Sequence, residues 1–254
     1  MKSPAPFQPR FFESDPLFSP IAAGARCFSD LATWPVVADY GARVAHRAPV
    51  TFREQPKKAR GRRRKPRCAG DLYDGRIIEE GWVPTRPENW HDFLNMLCWA
   101  AFPLAKWQLH LRQHRAISAR VDGLVDRLPG ARTPELDALA LLDEGGIVVA
   151  CHAARTEDLT AALKARDTAA AKALFASGAA RGMLFGHAQY EGLVLAWPES
   201  WAAGFVVPTP DLPGSMDEAA LLSFADAALA AALSEEGTFQ STDTLVRVDL
   251  SLLR

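Results

Sequence analysis

An α+β fold, mainly helical with a small mixed β-sheet, is predicted by three features of this 254-residue sequence. Short β-branched or aromatic runs are scattered among longer segments of helical periodicity, with no regular alternation of strand and helix. Hydroxyl, Asn or Asp residues stand before several apolar runs, where a side-chain oxygen can accept from the unpaired amides of a helix N-terminus. Pro103 interrupts one long apolar stretch and thereby divides it into two helices.

In chain order, "SPIAAGARCF" and "TWPVVADYGARVA" each open on a hydroxyl residue and predict two short helices. "PVTFRE" and "GRIIEEG", bounded by turn formers, predict strands. Over residues 88 to 101 an amphipathic helix is predicted. Asn89 caps it, Asp92 takes the capping-box position, and Phe93, Leu94, Leu97, Cys98 and Ala101 form the apolar face. Pro103 ends it, and a second helix follows over about 104 to 120. The face with Trp90, Trp99 and Trp107 is expected to be core. "ELDALALLDEGGIVVACH" has two readings: Thr133-Pro134 can open a helix, whereas "DEGG" between apolar runs is hairpin chemistry. Ile147 to Val149 reads as a strand either way. Thr156 and Asp167 are expected to cap helices 157 to 166 and 168 to 176. "GMLFGHAQYEGLVLAW" predicts a strand to Phe185 and a helix from about His187. "GFVVPTP" and "TLVRVDLSLL" read as strands flanking a long alanine-rich helix. There is no internal repeat, and a single domain over 1 to 254 is expected.

The composition, 48% hydrophobic and 23% charged, is that of a globular protein. A net charge of −1 gives no overall attraction to nucleic acid or anionic membrane. Cys27, Cys68, Cys98 and Cys151 lie far apart without CxxC or structural-zinc spacing, so free thiols are expected. The N-terminus lacks the apolar run of a secretory signal, and no stretch reaches the roughly 20 apolar residues of a spanning helix. A cytoplasmic protein without membrane contact is the expectation. One segment breaks the charge balance. From Arg53 to Arg67 there are nine cations against Glu54, a local net of +8 that leaves −9 elsewhere. With Pro56 and Pro66 and almost no apolar residue, it is expected to form a flexible insertion at about 54 to 69.

His91 and Asp92 sit side by side at a helix start. There the unpaired amides favour a neutral ring able to act as base or metal ligand, although Asp92 could equally serve only as a cap. His187 and Glu191 are four apart and share a helix face. They can join in holding a metal or orient one another, or form a plain surface contact. Adjacent Asp143 and Glu144 in "LLDEGG" read as a turn with exposed acids. His110 and His114 are also four apart, but Arg112 and Arg115 beside them predict a solvated basic face; His46 and His152 show no partner. GxSxG, GxxxxGK[ST], strand-linked GxGxxG and HExxH are absent, which removes motif support for serine hydrolase, P-loop, dinucleotide-binding and zincin chemistry.

Taken together, "YDGRIIEEGWVPTRPENWHDFLNMLCWAAFPLAKWQLH", "LALLDEGGIVV" and "LFGHAQYE" resemble, in order and spacing, the DUF3025 proteins, a bacterial family of unknown function. The resemblance covers most of the chain from about residue 72, is weaker in the C-terminal third, and does not extend to the basic insertion. It implies no activity, substrate or cofactor. It does place Arg86, Asn89, His91, Asp92, Asn95, Lys106, Asp143, Glu144, His187 and Glu191 in characteristic segments, which favours one shared pocket.

The expectation is a polar pocket where the helix starting near Asn89 meets the helix starting near His187. His91 would be general base or metal ligand, with His187 and Glu191 as further candidate ligands of a divalent metal and Asp92 or Glu191 orienting the ring. Arg86, Asn89, Asn95 and Lys106 would receive a small anionic substrate for hydrolysis or a related acid-base step. The competing expectation is a non-enzymatic protein that docks on nucleic acid or an acidic partner through Arg60, Arg62, Arg63, Arg64, Lys65 and Arg67.

Overall fold

The computed structural model describes residues 5–44, 49–55, 68–121, 131–198 and 201–254. Ten α-helices and two small sheets make up the described chain, a mainly helical α+β architecture. None of these helices is long and apolar enough to cross a membrane.

The N-terminal part carries α1 (Ser19–Arg26), α2 (Tyr40–Arg43) and β1 (Thr51–Glu54). The segment expected as a strand, "GRIIEEG", is instead the body of α3 (Tyr73–Glu80). Ile77 is buried and the acids behind it face outward, a helical pattern that two adjacent isoleucines do not distinguish from a strand. Gly81, at φ 72°, ends the helix in the left-handed conformation that glycine adopts without penalty. The strand comes after it: β2 (Trp82–Thr85) pairs in parallel with β1. The cationic run beyond Gln55 lies outside the described residues.

α4 (Trp90–Ala101) and α5 (Pro103–Ser118) are separated only by Phe102. A residue before proline is driven out of the helical region, and Phe102 has φ −127° and ψ 58°. The first free amides of α5 are satisfied from a distance: buried Asp226 accepts from Leu104 N at 3.2 Å and Ala105 N at 2.8 Å.

α6 (Pro134–Gly145) is capped by Thr133, whose hydroxyl accepts from Leu136 N. It runs without a loop into β3 (Gly146–His152), so "DEGG" is not a hairpin. Leu136, Leu139 and Leu142 bury one face of the helix right up to that junction. There follow α7 (Thr156–Ala165), α8 (Thr168–Ala176), β4 (Ala180–Leu184), α9 (His187–Val194), β5 (Trp201–Thr209), α10 (Glu218–Ser234) and β6 (Val246–Asp249). Asp167 caps α8 by accepting from Ala170 N. Thr156 does not cap α7: it is the first helical residue, and its hydroxyl donates back to the His152 carbonyl. The C-terminal strand is shorter than expected and closes in a 3-10 turn, Leu250–Leu253.

The larger sheet has the order β4-β3-β5-β6, with the central β3/β5 pair parallel and both outer pairs antiparallel. It is covered on both faces. Ile147, Val149 and Cys151 of β3 enter one apolar core with α4, α7 and the N-terminal aromatic residues. Val148 and Ala150 enter a second core with α5 and α10. Each fully buried aliphatic side chain of this size contributes roughly 1.5–3 kcal/mol, so the alternation fixes which face of β3 meets which helix layer. Trp90 and Trp99 are core, and Trp107 packs partly buried against it.

Candidate functional site

Three helix ends meet at one place: the start of α4 with His91, the end of α6 with Asp143 and Glu144, and the start of α9 with His187. Two glycines make the approach possible. A Cβ on Gly186 would lie 2.4 Å from Gly146 N and 2.5 Å from the Glu144 carbonyl. One on Gly146 would lie 2.3 Å from the Leu142 carbonyl. Backbone hydrogen bonds from Phe185 N and Gly186 N to the Gly146 carbonyl lock this junction, and α9 therefore starts directly against the end of α6.

His91 and His187, 96 residues apart, face each other through their Nε2 atoms at 2.9 Å. The Glu144 carboxylate lies 3.5 Å from His187 Nε2 and 3.9 Å from His91 Nε2. One ligand atom from each of these three residues falls within 4.8 Å of the others. Glu191 points away from that focus and holds His91 Nδ1 at 3.0 Å. A proton shared in that bond leaves Nε2 with its lone pair toward His187.

The electrostatics separate the two rings. The hydrogen bond to Glu191 raises the His91 pKa above its ordinary value, against partial burial. Burial lowers that of His187 to about 3, so this ring is neutral at pH 7. Its Nδ1 is buried without a hydrogen-bond partner, 3.9 Å from Asp143 Oδ1. Burial and then neighbouring Asp143 raise the Glu144 carboxyl. Burial is the largest influence on Asp143 and acts to raise it, but the charge and hydrogen bond of Lys106, with the other positive groups around the carboxyl, together outweigh it and hold it well below the usual range.

Two nitrogens 2.9 Å apart, each about 2.0–2.1 Å from a common ion, subtend about 90° at it. The two rings can therefore hold one ion without rearranging the helices, with Glu144 as the third donor and Glu191 as the carboxylate behind a ligand histidine. The cluster opens onto a cavity of about 580 Å³.

Other residues named from the sequence have different surroundings. Asp92 does not touch His91: its carboxylate accepts from Arg86 N at 2.6 Å and takes the Arg86 guanidinium on both oxygens. Asn89 caps α4 by accepting from Asp92 N. Asn95 donates to the Tyr73 hydroxyl at 3.0 Å, while its Oδ1 is buried and unpartnered. Lys106 is 0% exposed and closes on Asp143 at 2.5 Å, with its ammonium beside the Trp99 and Phe185 rings. Arg60, Arg62, Arg63, Arg64, Lys65 and Arg67 lie outside the described residues.

Two expectations are corrected. Asp143 and Glu144 do not sit on a turn and do not diverge; they end α6 and both face the histidine cluster, Asp143 half-buried and Glu144 exposed, because the helix continues to Gly145. A signal for them existed. Acids in the last turn of a helix oppose its dipole, and here no basic residue accompanies them, so helix stability does not account for the pair. The α5 residues His110 and Arg112 are likewise not a solvated face. His110 is 1% exposed and Arg112 is also buried, its guanidinium donating to the carbonyls of Leu233, Glu235, Glu236 and Thr238 at the end of α10. α5 packs between α3 and α10, and Arg112 is paired with Glu135 from α6, while Arg115 stays exposed.

A family model described as "Protein of unknown function (DUF3025)" matches residues 63–251. The chain therefore belongs to that family, and the match starts within the cationic run and takes in the C-terminal third. No curated protein and no solved structure matches the chain.

Proposed function

We propose that this DUF3025 protein holds a divalent first-row transition metal on His91, His187 and Glu144, and uses the cavity around it for hydrolysis of a small anionic substrate. The observation that carries the reading is the pair of Nε2 atoms at 2.9 Å with a carboxylate oxygen 3.5 Å from one of them. Two lone-pair nitrogens that close, one of them on a buried ring, need a proton or a cation between them, and the carboxylate favours the cation.

A bound ion would supply Lewis acidity toward a water and a substrate oxygen. The protein's own contributions follow from the contacts. Glu191 sets the His91 tautomer, and burial keeps His187 neutral and able to donate its lone pair. Glu144, with its side chain 52% exposed, closes the cluster on the solvent side and is the donor most free to yield to a substrate. Arg132, exposed at the cavity rim, supports an anionic group on the substrate. The right angle between the nitrogens also suits a six-coordinate Fe(II) centre of two histidines and one carboxylate, so iron belongs in the test.

The experiment is metal analysis of protein prepared with Zn(II), Mn(II), Co(II), Ni(II) or anaerobic Fe(II), beside His91→Ala, His187→Ala and Glu144→Gln. One equivalent of metal in the parent and its loss in both histidine variants, with folding retained, is the expected result. A parent that binds none of the five, or His variants that bind as tightly, overturns the reading.

A further inference from the structure

The cavity contains a second histidine-carboxylate pair that the metal cluster does not use. His110 on α5 and Asp74 on α3 both line it, with His110 Nδ1 2.8 Å from Asp74 Oδ1. The His110 ring is held on every side. It stacks on Trp99 at 5.3 Å and 11°, meets the Tyr73 ring edge-on at 5.7 Å, and is 1% exposed. Its Nε2 is buried and has no hydrogen-bond partner. A buried polar nitrogen left unpaired costs about 1–3 kcal/mol, so its persistence needs an explanation outside the packing. Asn95 Oδ1, on the facing helix, lines the same cavity and is unpartnered too.

A purely structural histidine would use both nitrogens or turn one to an existing donor. Here the carboxylate on Nδ1 sets a single tautomer, with the proton on Nδ1 and the lone pair on Nε2. Aromatic contacts prevent the ring from turning away. That is the arrangement of a general base with its orienting acid: the base must be neutral, fixed and within reach of a ligand. Lys106, one turn earlier on α5, shares the Trp99 ring with His110 and is paired with Asp143, which lies beside His187. The dyad and the metal cluster are thus two ends of one polar wall.

We propose that His110 is a general base of this cavity, positioned by Asp74, and that it acts on a water or substrate hydroxyl placed between it and the His91–Glu144–His187 cluster. The proposal rests on the reading of this cavity as a hydrolytic site. In the step, Nε2 takes a proton from the attacking oxygen as that oxygen's electron pair forms a bond to the electrophilic carbon or phosphorus of the substrate. The leaving oxygen departs with its bonding pair and receives the proton back from Nε2. The Asp74 carboxylate stabilises the imidazolium between the two transfers, and no other reactant is consumed.

The test uses diethyl pyrocarbonate, which carbethoxylates a histidine nitrogen that has a lone pair within reach, with peptide mass spectrometry to locate the modified rings. It needs no substrate. His110 in the folded parent should react at a rate within tenfold of that of His152, despite its burial, because the cavity leads to it. Asp74→Asn, checked for folding by circular dichroism, should slow His110 by at least about tenfold, because an amide donor on Nδ1 moves the ring proton onto Nε2. Adding the metal found above should protect His91 and His187 and leave His110 reactive. Failure of that protection with His110 still reactive counts against the metal cluster alone. An inert His110 in the folded parent overturns the proposal, as does a reactivity indifferent to Asp74→Asn, and the parent measurement stands even where the variant fails to fold.

Discussion

Glu191 offers the sharpest quantitative test of the proposed metal site, because it touches His91 while lying outside the cluster of His91, Glu144 and His187. Its carboxylate accepts from His91 Nδ1 at 3.0 Å between two partly buried side chains. A charge-assisted hydrogen bond of this kind is worth about 1.5–3 kcal/mol, and partial exposure places it toward the lower end. At about 1.4 kcal/mol per decade, removing it with Glu191→Ala should weaken metal binding by about 10- to 100-fold. Glu191→Gln, whose amide can donate to Nδ1 and move the ring proton onto Nε2, should lose at least as much. Competition against a chromophoric chelator at fixed pH reads the affinity directly, and thermal unfolding of the metal-free proteins controls for stability. Unchanged affinity in Glu191→Ala, in a protein that loses its metal on His91→Ala, would refute the argument that Glu191 fixes the ligand tautomer.

Lys106→Met should destabilise the fold by about 3–5 kcal/mol in urea unfolding, since it strands Asp143 beside a fully buried position, while Lys106→Met with Asp143→Leu should recover most of that loss. The pH dependence of stability has a definite sign. Asp143 has a folded pKa below its unfolded value, so its contribution is fully present above about pH 4 and is lost as pH falls below that. Unfolding free energy should therefore drop on acidification from pH 5 to pH 2, and Asp143→Asn should flatten the slope in that window. Gly186→Ala forces a methyl to within 2.5 Å of the α6–β3 junction and should cost about 1–3 kcal/mol while weakening metal binding in the fraction that folds. If the cationic run has the binding role its composition suggests, affinity for a single-stranded oligonucleotide will fall steeply with salt and vanish on deletion of residues 57–67. Salt-independent or deletion-resistant binding would remove that role.

What the sequence determined by itself was local. Asn89, Thr133 and Asp167 cap helices because a short side-chain oxygen beside an apolar run meets free amides within a few residues. Pro103 separates α4 from α5 through sterics on its immediate neighbour. β3 was readable as a strand from the β-branched run Ile147 to Val149, and so was the placing of His91 and His187 at helix starts. "GRIIEEG" was misread because two adjacent isoleucines satisfy either period, and only the burial of Ile77 where α3 packs on α5 and β2 chose between them. Tertiary structure alone decided which groups meet. Glu144 reaches the two histidines because Gly186 and Gly146 allow two backbones to touch across the sheet, a contact between segments some forty residues apart that no local pattern encodes. Lys106 and His110 likewise acquired acid partners from α6 and α3. Lys106, His110 and Arg112 of α5 are turned inward by burial between α3 and α10, since a buried cation or ring nitrogen must find its counter-group wherever the fold provides one.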